Sequence, residues 1–299
     1  MATQAFDAII IGGSYAGLAA GLQLARARRS VLVVDAGVRR NRFAEASHGF
    51  LTQDGTPPDE VAARGKAQLL AYPTVEWRDG RAEAAEAVEG GFRVATPEGE
   101  IMARRLVLAT GVTDTLPDIP GLAERWGRSI FHCPYCHGYE LEQGRIGVLA
   151  VTPISMHQAL MLPDWGPTTF FLNGAFAPDE AQRGELARRG VTVEETPVEA
   201  VTGERADIRL RDGRIVPLDG LFTMSRTAVA SPIAQALGCA FDEGPTGRFI
   251  RTDMAKATSV PGVFACGDAA RPAGSVTFAV GDGATAGFAA HQSLIFAKA

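Results

Sequence analysis

A short apolar run, Ala8 to Ile11, is followed at once by GGSYAG and then by apolar residues at helical spacing through Leu18, Leu22 and Leu24. A second apolar run, Val31 to Val34, ends on Asp35. Strand, glycine turn, helix, strand and acid in that order specify a βαβ unit. Gly12, Gly13 and Gly17 let backbone amides approach a pyrophosphate at a helix N-terminus, and the acid, 23 residues beyond Gly12, is placed to meet a ribose. The order of all five features predicts a bound dinucleotide, where the glycines alone would not. Ser14 stands where the fingerprint has its middle glycine, and a small residue there still permits close approach.

The loop Arg39 to Gly55, RRNRFAEASHGFLTQDG, is too rich in side-chain donors for a plain connector and is expected to touch the cofactor. Within it His48, taken by itself, reads as a structural histidine rather than a catalyst. Phe92 to Thr96 and Glu100 to Met102 alternate around a turn as a hairpin, and the apolar strand Leu106 to Ala109 leads into Thr110 and Gly111. The same plan returns at Ile208 to Leu210, Ile215 to Val216 and Leu221 to Met224. The repeat predicts an α/β chain of two Rossmann-like, three-layer ββα nucleotide-binding domains. LPDIPG, Leu116 to Gly121, marks the passage into the second copy. Val263 to Cys266 is a further strand, running into Gly267 and Asp268, and a small-residue helix follows, ending near Phe296.

The second copy lacks its phosphate loop. After the strand Arg145 to Val151, residues 148–165 contain no glycine, and Pro153 removes a backbone donor. The next strand, Thr168 to Leu172, runs into Asn173 and Gly174 rather than an acid, and no Lys or Arg lies between Ile146 and Gln182. The expectation is a domain that has lost its nicotinamide nucleotide.

FHCPYCHGYE, Phe131 to Glu140, holds the one closely spaced pair of thiols, Cys133 and Cys136. Two intervening residues let the sulfurs close a small ring, and Pro134 suits the first turn of a helix, whose amides and dipole favour a thiolate. Such a pair is a two-electron redox device. The letters also match a haem attachment site, half of a zinc site beside His132 and His137, or two buried structural cysteines. Haem calls for an exported chain and zinc for a second ligand pair, so redox chemistry is favoured and no metal is expected. Cys239 and Cys266 read as buried apolar residues.

The 299 residues suit two domains, and 46% hydrophobic content supplies two cores. With 29 basic against 34 acidic residues the formal charge is -5, which argues against nucleic acid as a partner. The start MATQAFDAIII lacks a basic leader and no apolar run reaches the roughly eighteen residues that span a bilayer, so a cytoplasmic location without membrane contact is expected.

FHCPYCHG, GGSYAG, LATG and VFACGD in this order resemble the thioredoxin reductase family of FAD enzymes along nearly the whole chain. The resemblance implies an FAD domain at 1–113 plus 242–299, with a second domain at 116–240 inserted in it and carrying the redox disulfide. It assigns Gly12, Gly13, Ser14, Gly17, Asp35 and Ala36 to the ADP part of FAD, with Asn41, Arg42, His48 and Asp54 as further contacts. Ala109, Thr110 and Gly111 lie near it, as do Gly267, Ser275 and Val276, and Asp268 meets the ribityl chain. Cys136 would face the flavin and Cys133 would exchange with substrate. His137 stands where reductases usually have an acid. Together with the missing nucleotide loop, this is similar to the dithiol oxidases of disulfide-containing natural products such as gliotoxin and holomycin. His137, with His132 in reserve, would be the general base. A second similar branch reduces thioredoxin-like proteins with electrons from ferredoxin, another flavoprotein or, weakly, NADPH. The family resemblance also implies a homodimer.

Overall fold

The computed structural model describes residues 5–296. Contacts divide the chain into two compact units, one made of the chain to Arg42, Thr56–Thr113 and the chain from Thr227, the other of Phe43–Gly55 and Asp114–Arg226.

The first unit opens with β1 (Ala5–Ile11), α1 (Tyr15–Arg26), β2 (Val31–Asp35), α2 (Pro58–Leu70), β3 (Val75–Asp79), β4 (Ala84–Val88), β5 (Gly91–Thr96) and β6 (Gly99–Leu108), and the chain leaves it within β7 (Val112–Thr115). Its sheet runs β3-β2-β1-β6-β5-β4. β1 pairs in parallel with β2 and β6, whereas β4 and β5 form an antiparallel meander on β6. Residues of β1 alternate between two cores. Ile9 and Ile11 face the cluster with Phe92, Val94 and Ile101, and Ala8 and Ile10 face the one with Leu18, Leu24 and Leu69. Burial on both faces explains why these strands read as continuous apolar runs rather than alternating ones.

The second unit holds β8 (Ile130–Phe131), α3 (Pro134–His137), β9 (Ile146–Leu149), α4 (Met156–Met161), β10 (Thr168–Phe171), α5 (Glu180–Arg188), β11 (Thr192–Glu194), β12 (Val198–Thr202), β13 (Asp207–Leu210), β14 (Ile215–Val216) and β15 (Gly220–Thr223). Its parallel sheet runs β11-β10-β9-β15-β8. This repeats the β3-β2-β1-β6 order of the first unit, so the expected duplication is present in the topology. In one respect the copies differ. Hairpin arm and apolar strand, which the sequence suggested as separate pieces, are one continuous strand in β6, but the later copy keeps β13 and β14 in a sheet apart from β15.

The chain then forms β16 (Arg226–Val229), α6 (Ile233–Ala236), β17 (Phe241–Glu243), β18 (Arg248–Ile250), β19 (Val263–Ala265) and α7 (Val276–Phe296). β19 joins the first sheet in parallel beside the C-terminal half of β6. α7 lies on α1 at close range. A Cβ on Gly283 would stand 2.1 Å from the Ala16 carbonyl oxygen and one on Gly287 2.6 Å from that of Ala20, so only glycine permits the approach. Among the described residues no helix is long and apolar enough to cross a membrane.

Candidate active site

In the first unit the turn after β1 is set by contacts that exclude side chains. Gly12 has φ +103°, and a Cβ there would meet the Ala109 carbonyl oxygen at 2.2 Å. A Cβ on Gly17 would meet the Gly12 carbonyl at 1.8 Å, and one on Gly13 would enter the Trp77 ring at 2.2 Å. The Gly13 N–H donates to Asp35 Oδ1 at 3.0 Å, so the acid ending β2 first closes the turn and keeps its second oxygen for another donor. Ser14 is the extended N-cap of α1 and makes no side-chain capping bond, which leaves the first-turn amides to an outside acceptor. These features fit a pyrophosphate. The Thr110 hydroxyl adds a second indication, being a buried oxygen without a hydrogen-bond partner.

The remaining residues assigned to this unit fall around the same strand ends. Asn41 Nδ2 donates to the Tyr15 hydroxyl at 3.1 Å, and that hydroxyl also donates to the Pro58 carbonyl at 3.2 Å, which ties the loop after β2 to α1. Arg42 donates to the Arg39 carbonyl, and Ala36 is exposed. Gly111 has φ +65° and its carbonyl accepts the Ala230 N–H. Gly267, at φ +69°, lies 2.9 Å in Cβ terms from Ala16. Asp268 is in contact with Arg40 at 2.9 Å, and the bare backbone of Gly274 covers its carboxylate. Ser275 Oγ accepts the Phe278 N–H at the start of α7, and Val276, the first residue of that helix, is half-buried. Arg40, Trp77 and Gly274 were not foreseen from the sequence, for nothing local to them announces partners so far along the chain. Nor was the carboxylate of Asp282, buried on α7 between Lys256 Nζ at 2.8 Å and Arg271 Nη1 at 3.0 Å. Next to it the Cys266 thiol is pushed up to about 12, first by burial and then by the Asp282 charge. That thiol is inert as a nucleophile.

In the second unit Cys133 and Cys136 form a disulfide, with Cα atoms 5.3 Å apart. Cys133 is the extended N-cap of α3 and Pro134 its first residue. The helix expected after Cys133 is a single turn of four residues, so its dipole is a fraction of that of a full helix and contributes little to a thiolate. His137 stacks on Phe131 with ring centroids 4.3 Å apart and an interplanar angle of 19°. Burial, followed by the charge of His48, pushes its pKa down to about 4. The ring is therefore neutral at pH 7 rather than titrating near it. His48 and Asp54, expected at the cofactor with the first domain, group with this unit. His48 lies between carboxylates, Nδ1 at 3.7 Å from Asp54 and Nε2 at 3.4 Å from Glu140. Tyr135, between the two cysteines, is 73% exposed and sets its ring edge-on to Trp165 at 5.4 Å; Tyr139 is 85% exposed.

Residues 6–283 match the pyridine nucleotide-disulphide oxidoreductase family. A thioredoxin reductase of Claviceps purpurea, tcpT, is 34% identical over 97% of this chain and 94% of its own length. Among solved structures, an oxidoreductase from Agrobacterium tumefaciens superposes with a TM-score of 0.96 at 56% identity, covering 99% of this chain and 100% of the other. The structure of HlmI superposes with a TM-score of 0.89 at 36% identity, over 97% of this chain and 93% of the other.

Proposed function

Because the chain belongs to the pyridine nucleotide-disulphide oxidoreductase family and is an FAD-dependent thiol-disulfide oxidoreductase, we propose that its Cys133–Cys136 disulfide oxidises a small-molecule dithiol, with oxygen as final acceptor and no nicotinamide nucleotide. FAD is held by the glycine turn, Asp35, Thr110 and Asp268 of an FAD domain, 1–113 plus 242–299, and the disulfide is carried by the inserted domain, 116–240.

One observation in particular supports a reaction without the nucleotide. In the turn after β9 the Val151 N–H donates to Ser155 Oγ at 3.1 Å, so an amide that a phosphate would need is taken by the protein itself. The surroundings agree. At the end of β10 Asn173 Oδ1 accepts the Val198 N–H at 2.9 Å. Arg183 is paired with Glu195 at 2.9 Å and Arg189 with Asp164 at 2.6 Å. Stopped-flow mixing with NADPH and then with a small dithiol tests the reading, and reduction by the dithiol alone is expected.

In the reaction a substrate thiol passes its proton to neutral His137 and the resulting thiolate attacks Cys133 Sγ, breaking the disulfide and releasing Cys136 as thiolate. The second thiol of the same substrate attacks the mixed disulfide at the substrate sulfur, passes its proton to the departing Cys133 and leaves as the cyclic disulfide. Substrate dithiol and enzyme disulfide thus become substrate disulfide and enzyme dithiol. Bound FAD supplies the two-electron acceptor that restores the enzyme disulfide, with oxygen leaving as hydrogen peroxide. The His137 ring is unprotonated across the working range and so open to a proton, but near 4 it is a weak base beside a thiol near 8.5, so it relays the proton rather than retaining it.

A second reading, reduction of a thioredoxin-like protein fed by ferredoxin, another flavoprotein or weakly by NADPH, is favoured by the exposed Tyr135 and Tyr139, which offer a protein partner aromatic surface beside the disulfide. Absence of oxygen uptake with every dithiol tried selects it. Exposed Phe278, Phe288 and Ile295 on α7 support a homodimer, which sedimentation of the purified chain tests.

A further inference from the structure

Gln158 on α4 is 5% exposed. Its Nε2 donates to the His132 carbonyl at 2.7 Å, while its Oε1 is buried without a partner. An amide kept in a core with half its capacity unmet carries a desolvation penalty that an apolar side chain of the same size avoids. The donor half is what distinguishes it from such a side chain. The bond falls on the peptide immediately before Cys133. Since a peptide unit is planar, fixing the carbonyl of 132 also fixes the N–H of 133, and with it the plane from which the φ rotation of Cys133 starts.

Other parts of the same segment reach the same motif. Met156, Ala159 and Leu162 share a core cluster with Phe131 and Leu141, on either side of the cysteines. Trp165 receives the edge of Tyr135 and covers Gly138, where a Cβ would come within 2.8 Å of the indole. The stretch that follows β9, where a Rossmann fold places its phosphate loop, is here engaged with the residues around the disulfide. We propose that residues 152–165 have become the support of the Cys133–Cys136 pair and that Gln158 is a positioning residue for Cys133, holding its backbone where the sulfur closes on Cys136. The inference rests on the reading of that pair as the redox centre and is independent of the electron donor or acceptor.

With the anchor in place, the reduced pair is kept close to the geometry of the oxidised one, and closure sacrifices little chain freedom. Without it the dithiol gains freedom and reduction becomes easier. The test equilibrates the flavin-loaded protein anaerobically in graded mixtures of reduced and oxidised dithiothreitol, and counts free thiols by alkylation and mass. Each conversion turns one enzyme disulfide and one reduced dithiothreitol into an enzyme dithiol and an oxidised dithiothreitol.

Gln158→Met is expected to raise the enzyme dithiol-to-disulfide ratio roughly fivefold, the size of one net hydrogen bond, or about 20 mV for a two-electron couple, with melting temperature unchanged or higher. Ser155→Ala, which opens the same segment without touching His132, should leave the ratio within about twofold of wild type. A ratio within twofold in Gln158→Met overturns the proposal, and so does an equal rise in both variants, which would mean general loosening. Should Gln158→Met not fold, Gln158→Asn, whose amide is one methylene short of the carbonyl, is judged by the same thresholds. A wild-type pair that never reduces would instead remove the functional reading, and that outcome is separate from any difference between variants.

Discussion

The buried ring of His137 makes the stability of the fold depend on pH. An unfolded chain takes up this proton near 6.5, whereas burial against Phe131 and the charge of His48 push the folded group down to about 4. The unfolded state therefore binds more protons between those two values, and the neutral ring's contribution to stability is complete above about pH 6.5 and is lost as the pH falls toward 4. At roughly 1.4 kcal/mol for each pH unit, the gap of about 2.5 amounts to about 3 kcal/mol. Urea titrations of wild type and His137→Gln at pH 7 and pH 4 isolate it, with the wild type losing about 3 kcal/mol more than the variant between the two. The same titration fixes the kinetics. A base that stays neutral down to about 4 keeps the wild-type kcat/KM for a dithiol nearly level from pH 5.5 to 8. His137→Gln falls about a hundredfold or more at pH 6.5 and then climbs about tenfold per pH unit as substrate thiols near pKa 8.5 ionise. An imidazole resonance titrating at 6 or above in the folded protein would refute the burial argument. Parallel pH profiles in the two proteins would remove His137 from proton transfer.

Other outcomes follow from separate parts of the site. Gly17→Val should purify without flavin and with a lowered melting temperature, since its side chain would enter the Gly12 carbonyl; absorbance of released flavin, expected at one FAD per chain in wild type, checks it. NADPH and NADH should reduce the bound flavin slowly or not at all, and bleaching within milliseconds at micromolar NADPH would contradict the role given to Ser155. Cys136→Ser should attack an oxidised linear disulfide through Cys133 and keep one half of it as a mixed disulfide, seen by mass, while the other half leaves as a thiol, whereas Cys133→Ser should not; the reverse pattern would exchange the roles of the two sulfurs.

The fold was legible wherever a periodicity or a steric exclusion is local. β1, the Gly12–Gly17 turn, β2 and Asp35 are contiguous, so their order in the chain is their order in space. The missing glycine of residues 148–165 was equally plain, because it concerns backbone approach. What could not be read were partners fixed by chain return. Arg40 meets Asp268 and Gly13 meets Trp77 only because separate strands end side by side. His137 shows the limit most clearly. Its place after Cys136 suggested an imidazole near its ordinary pKa, but the value depends on Phe131 and on His48 arriving from a loop much earlier in the chain. The grouping of His48 and Asp54 with the second unit has the same origin, for the tether to Glu140 has no signature in the loop's own residues.

The two halves of β6 also set an order of events at the ribosome. Its first half pairs with β5 as soon as the hairpin has emerged, but its second half waits for β19, which begins at Val263, and α1 waits for α7. A nascent chain extending to β16 holds every strand of the disulfide-bearing unit while the flavin unit still exposes a strand edge and an uncovered helix face, the kinds of surface on which unfinished chains associate. With FAD placed in the first unit as proposed, flavin capture would be the closing step of biogenesis, and chains arrested before Val263 should contain the disulfide, carry no flavin and depend on chaperones for their solubility.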